Sequence, residues 1–321
     1  MKKYNIGIDL GGTKILCGLI DAKTQEIIHK VKKKTKKDKG NEKISKKLFE
    51  VLDELFEISK VDKSQIISIG VAAAGQIDRE QGILINGCNL DCKNLKIKED
   101  IENKYGIETL VANDVEAATI AELLYGSAKG YKNVLCVFVG TGIGSSLVVD
   151  GKIYYGNTGS AGEIGHIIVD LDGRTCACGG VGCLEAYASR SAIENRIQGA
   201  IKKNRKTIIT DLTTKQNIST KHIKQALDAH DEVVEQYVDE AIKFLSGGLA
   251  STINFFNPEL IVLGGGLIQG VDVIFNKTVK YAKAKALSLA ATKTEFKKAQ
   301  LEDYSGIIGA SLIKEYRKNA I

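Results

Sequence analysis

The stretch IGIDLGGTKILCGLID (residues 6–21) sets two glycines, a threonine and a lysine between two apolar runs, and VLCVFVGTGIGSSLVVDGKIYYG (134–156) repeats the plan. In each, apolar residues before and after the Gly/Thr turn predict strand, turn, strand, and an Asp closes the second strand (Asp21, Asp150). Two copies of one supersecondary unit predict a duplicated fold. Neither turn is a P-loop, which needs G-x-x-x-x-G-K-[ST] running directly into a helix, and neither has the three spaced glycines of the Rossmann fingerprint.

Each copy leads into helical sequence and further strands. KISKKLFEVLDELFEI (43–58) has apolar residues at helical spacing, IISIGVAAAG (66–75) reads as a buried strand ending in a Gly turn, and TLVANDVEAATIAELLYG (109–126) as strand then helix. In the second half, 230–256 reads as one long helical stretch and ELIVLGGG (259–266) as a strand ending in three glycines, with the only proline, Pro258, where the helix must stop. Alternating strands and helices predict an α/β fold with a mostly parallel sheet in each half. At 321 residues, 44% hydrophobic and 26% charged, the chain is long enough for two domains with sizeable cores.

The formal net charge of +6 comes largely from KVKKKTKKDKG (30–40) and IKKNRK (201–206). Such runs read as solvated faces, and they lack the interleaved aromatics of a strand-binding surface, so nucleic acid is not an expected partner. No apolar run is long enough for a membrane span and the first twenty residues do not read as a leader, so a cytoplasmic protein without membrane contact is expected. Four of the seven cysteines (Cys17, Cys88, Cys92, Cys136) are scattered as reduced thiols should be.

The other three are clustered. GEIGHIIVDLDGRTCACGGVGCLEAYAS (162–189) offers Cys176, Cys178 and Cys183 in a Gly-rich turn, with His166 ten residues upstream of the first. Three thiolates and an imidazole make a closed tetrahedral set of the structural zinc kind. In ANDVEAA, Asp114 falls where a strand gives way to a helix, at the carboxyl edge where α/β folds place ligands. On the residues alone it also reads as a helix N-cap.

DLGGTK, ANDVEAA, GTGIGSS, GEIGH and CACGGVGCLEA, in that order, resemble the ROK family of sugar kinases and sugar-sensing repressors over essentially the whole chain. The resemblance implies an actin-like (ribonuclease H-like) two-domain ATPase fold with a cleft between the domains. It divides the chain into a smaller domain over 1–115, onto which a helix at about 307–321 packs back, and a larger one over 116–306. It implies ATP with Mg2+ alongside the structural Zn2+. Asp9, Gly11, Gly12, Thr13 and Lys14 become the first phosphate loop, and Gly140, Thr141, Gly142 and Gly144 the second. Gly264, Gly265 and Gly266 would lie against adenine or ribose, though helix–strand packing explains three glycines equally well. By the same resemblance Asp114 takes the proton from the sugar's primary hydroxyl, and Gly75, Asn89, Asn113, Glu163, His166 and Glu185 hold the sugar. The expected activity is ATP-dependent phosphorylation of a hexose, glucose first, at the 6-hydroxyl. N-acetylmannosamine or N-acetylglucosamine kinase is the alternative, and a homodimer the expected assembly. A repressor is the third reading, disfavoured because only five residues precede the first strand–turn–strand segment and no recognition helix is legible.

Overall fold

The computed structural model describes residues 2–35, 40–87, 89–213, 217–301 and 304–319; Cys88 and residues 36–39 of the first basic run lie outside them. Two compact units form, Met1–Lys129 with Asp303–Ile321, and Gly130–Glu302. The first contains β1 (Tyr4–Leu10), β2 (Lys14–Asp21), β3 (Ile27–Lys34), α1 (Asn41–Ser59), β4 (Ile66–Ala73), β5 (Gln76–Asp78), β6 (Ile83–Gly87), β7 (Cys92–Leu95), α2 (Ile97–Tyr105), β8 (Thr109–Asn113) and α3 (Asp114–Tyr125). The second contains β9 (Val134–Val139), β10 (Ile143–Val149), β11 (Lys152–Ile153), α4 (Glu185–Ala188), α5 (Arg190–Lys202), α6 (Ile209–Leu212), α7 (Thr220–Asp228), α8 (Glu232–Phe256), β12 (Leu260–Gly264), α9 (Gly266–Gly270), α10 (Asp272–Lys285), α11 (Ser288–Lys293) and β13 (Glu295–Lys298). The chain then returns to the first unit as α12 (Ser305–Asn319).

The two five-stranded sheets have one topology, β3-β2-β1-β4-β8 and β11-β10-β9-β12-β13. In each, the first three strands form an antiparallel meander and the last two add in parallel. The sheets are therefore mixed rather than mostly parallel, because tight turns join the opening strands and only the later ones are reached through helices. A separate three-stranded sheet, β5-β6-β7, carries 76–95, where the sequence shows no strong periodicity.

In the first unit, one face of the sheet (Ile6, Ile8, Leu10, Ile69, Val71, Val111) packs with Leu48, Val51, Leu52 and Leu55 of α1 into a closed core. The other face is covered by α12 at backbone distance. Gly18, Gly7 and Gly70 lie side by side across β2, β1 and β4. A Cβ on Gly7 or Gly70 would overlap the carbonyl oxygen of Ile307 or Ala310, and one on Gly309 that of Ala117 in α3. These small residues let α12 lie directly on the sheet and on α3. For that reason α3 stays with the first unit: the division expected at 115/116 falls inside this helix, and the units part at 129/130 and 302/303.

The second unit packs Leu135, Val137 and Val139 of β9 against Val234, Val238, Leu245 and Leu249 of α8. Helix α8 is capped by Asp231, which accepts from Val233 and Val234, and ends at Asn257, whose left-handed φ of 51° turns the chain into Pro258. Between β11 and α4 a Gly-rich loop is held by the isolated bridges Ile168–Cys183 and Thr175–Val181.

Candidate functional site

In the first unit, parallel pairing aligns Leu10, Ala73 and Asn113 across β1, β4 and β8. The residues that follow, Gly11 and Asp114, therefore leave the same carboxyl edge from strands two spacings, about 10 Å, apart. The first turn is closed by the Gly11 N–H on the Lys14 carbonyl at 3.0 Å. Thr35, absent from the sequence-based site, braces it: its hydroxyl donates to the Gly11 carbonyl at 2.7 Å and its N–H to the Thr13 carbonyl at 3.0 Å. A Cβ on Gly12 would come within 2.7 Å of the Asn89 Cβ, so this glycine admits the loop that carries Asn89.

Asn113, not Asp114, caps α3. Its Oδ1 accepts from Val115 and Glu116 at 2.9 and 3.4 Å, its Nδ2 donates to the Gly75 carbonyl at 3.0 Å, and its side chain also hydrogen-bonds the Asp114 carboxyl. Gly75 itself has φ of +145°, a conformation that side-chain-bearing residues rarely adopt. Asp114 is thereby released as the first helical residue. Burial pushes its carboxyl above the usual carboxylate range, opposed by the hydrogen bond from the Val115 N–H at 3.0 Å. The junction is anchored below by Glu116, which is 4% exposed and pairs with Arg79 at 2.7 Å, and by Arg317 of α12, which donates to the Val111 carbonyl at 2.9 Å. Asp9, on the α12 face of β1, lies against Gly306 at the start of that helix. Burial pushes its carboxyl up to about 6; Lys14 pulls it down and Asp114 pushes it up.

In the second unit, the Gly140 N–H closes the second turn on the Gly142 carbonyl at 2.9 Å. Arg190, which the sequence did not single out, braces it: its N–H donates to the Gly140 carbonyl at 2.9 Å and its guanidinium to the Thr141 hydroxyl at 3.0 Å. Gly144 is a strand residue paired with Phe138. A Cβ on Gly140 or Gly266 would meet nothing within 4 Å, so both glycines border open space. Gly264 and Gly265 are explained by packing, since a Cβ would press on the Phe138 ring or the Val139 backbone, and Gly265 has φ of +87°.

The Gly-rich loop brings His166, Cys176, Cys178 and Cys183 together, with all four donor atoms within 4.8 Å of one another. The Sγ atoms of Cys178 and Cys183 are 3.7 Å apart, and His166 Nδ1 is 3.9 Å from Cys176 Sγ. A tetrahedral ion with bonds of about 2.3 Å to sulfur needs sulfur–sulfur edges of about 3.8 Å, so the set fits such an ion. Burial pushes the Cys176 thiol above its ordinary range, a cost that coordination to a dication removes. Glu163 precedes the one-turn 3-10 helix Ile164–His166, which Ser145 of β10 ties down by accepting from the Ile164 N–H at 3.0 Å. Glu185 opens α4, and its Oε2 accepts from the Ile143 N–H at 2.7 Å.

A profile of the ROK family matches residues 5–316. The chain belongs to the ROK family. It is 30% identical to a glucokinase from Halalkalibacterium halodurans over 99% of this chain and 97% of the relative. It is 26% identical to a putative xylose repressor from a Caldicellulosiruptor species over 95% of this chain and 76% of that protein. Among solved structures, a ROK glucokinase from Streptomyces griseus in complex with glucose and AMPPNP superposes with a TM-score of 0.83, at 27% identity over 96% of this chain and 98% of that one. The two repeated sheets are thus those of the actin-like two-domain α/β fold. No helix among the described residues is long and apolar enough to cross a membrane.

Proposed function

We propose that this ROK chain is an ATP-dependent sugar kinase acting on the 6-hydroxyl of a hexose, with glucose as the favoured acceptor. The observation that carries the reading is Asp114: a partly buried carboxyl of raised pKa, freed from capping by Asn113, at the same strand edge as the first glycine turn. Such a group accepts the hydroxyl hydrogen bond and then its proton, while positioning and charge neutralisation supply most of phosphoryl transfer. With the Gly11 and Gly140 N–H groups closing the turns, Gly12 and Thr13 in the first and Thr141 and Gly142 in the second are the backbone N–H groups proposed for phosphate oxygens, and Lys14 adds a cation. Magnesium carried with the nucleotide would neutralise phosphate charge, and Asp9 is the carboxylate proposed to hold it. In the first unit Gly75, Asn89 and Asn113, and in the second Glu163, His166 and Glu185, are the partners proposed for ring hydroxyls, and Gly266 borders space for the nucleoside. A homodimer is the proposed assembly.

The ligand set suits a structural zinc, which would hold Glu163, His166 and Glu185 through the loop they share. Purified protein is expected to carry close to one equivalent of zinc by elemental analysis. Cys178→Ser is expected to lose it and to raise the sugar KM more than it lowers kcat; less than about half an equivalent in the parent protein counts against the closed set.

The acceptor is tested by one ATP-coupled screen of glucose, mannose, N-acetylmannosamine and N-acetylglucosamine. Glucose is expected to give the highest kcat/KM, and analogues that leave a buried carboxylate unpaired to fall by on the order of 10³. A higher value for an N-acetylhexosamine replaces the acceptor and keeps the mechanism. Sugar binding without turnover favours instead a sugar-sensing regulator, the reading that the xylose repressor relative supports.

A further inference from the structure

We infer that Glu185 is a positioning residue that clamps the second glycine turn to the metal-binding loop, so that filling the loop and binding a nucleotide phosphate at Gly140–Gly142 are energetically coupled. The inference deepens the kinase reading and rests on it for the identity of the ligand at that turn.

Glu185 stands two residues beyond Cys183 and opens α4. Its two oxygens face different partners: Oε2 accepts from the Ile143 N–H at 2.7 Å, and Oε1 is 3.8 Å from Cys176 Sγ. Ile143 is the first residue of β10, immediately after the turn. A carboxylate bonded to a backbone N–H is among the stronger hydrogen bonds a side chain makes. Gly142 takes on a second meaning from the same contact, because a Cβ there would overlap Glu185 Oε2. This glycine gives the carboxylate room to reach the turn.

Metal held in the loop would fix Cys183 and Cys176, hence the start of α4, hence the carboxylate that holds Ile143. An empty loop loosens the same chain of contacts. Coupling of two binding events through a shared element is reciprocal, so nucleotide should in turn tighten metal retention. The sugar role that the resemblance gives Glu185 uses the same carboxylate, with Oε2 committed to the turn and Oε1, which also faces Cys176 Sγ, keeping a lone pair for a hydroxyl.

The test is equilibrium binding of AMPPNP without sugar, together with amide hydrogen exchange of the peptide containing Ile143. In the parent protein, chelation of the metal is expected to weaken AMPPNP binding about tenfold, and in Glu185→Ala by less than about twofold. Exchange at Ile143 is expected to quicken in Glu185→Ala and in Gly142→Ala while metal content stays that of the parent. Glu185→Gln, which keeps an acceptor oxygen, should restore part of the protection. The clamp is overturned if neither Glu185→Ala nor Gly142→Ala changes Ile143 exchange, or if metal removal weakens AMPPNP equally in the parent and Glu185→Ala. Failure of every form to bind AMPPNP refutes the nucleotide reading alone, and Ile143 exchange still decides the clamp.

Discussion

Asp114→Asn is expected to leave the fold intact and lower kcat by roughly 10² to 10⁴, with the sugar KM changed by about twofold or less. Asn keeps the shape and the oxygen that accepts from the Val115 N–H, and Asn113 still caps α3, so the helix start is preserved. What disappears is the group able to take the hydroxyl proton. Because burial already disfavours the Asp114 carboxylate, the neutral amide should also unfold at slightly higher urea. Steady-state kinetics beside a urea titration separates the two effects. Normal turnover in the folded variant removes Asp114 from the mechanism.

Asp9→Asn is expected to abolish most activity and to stabilise the protein at neutral pH. The Asp9 carboxyl is pushed from its ordinary 3.8 to about 6, chiefly by burial. Between those values the native state holds a proton that the unfolded chain has released, so stability falls as pH rises from about 3.8 to about 6. Asn carries no such cost, and above pH 6 the variant should gain on the order of 2 kcal/mol, allowing for the partial exposure of the group. The two unfolding curves should converge toward pH 4. In the role proposed for Asp9, holding phosphate-bound magnesium, its loss should lower kcat by on the order of 10² or more. A variant no more stable than the parent at pH 7, or one with full activity, contradicts the assignment of Asp9 as a carboxylate held against its own stability for function.

The two glycine turns, the order of strands and helices around them, and the grouping of His166 with three cysteines were all legible in the sequence. Each is a matter of short spacing: apolar periodicity over one element, or ligands within eighteen residues of one another, from His166 to Cys183. The family's motifs likewise named Asp114, Asp9 and Glu185. Tertiary structure decided what those residues touch. The row of Gly18, Gly7 and Gly70 joins positions up to 63 residues apart in sequence, and it became a bed for α12 only once β1 had paired with β2 and β4. Strand register also set Asn113 rather than Asp114 as the cap, by placing the Gly75 carbonyl where the Asn113 amide could donate. Thr35 and Arg190 carry no motif, and they became braces because folding carried them to carbonyl and hydroxyl oxygens 22 to 50 residues away, such as those of Gly11 and Thr141. Local spacing fixes which groups a segment can offer, whereas the partner of each group depends on pairing between distant segments, whose energies are properties of the packed whole.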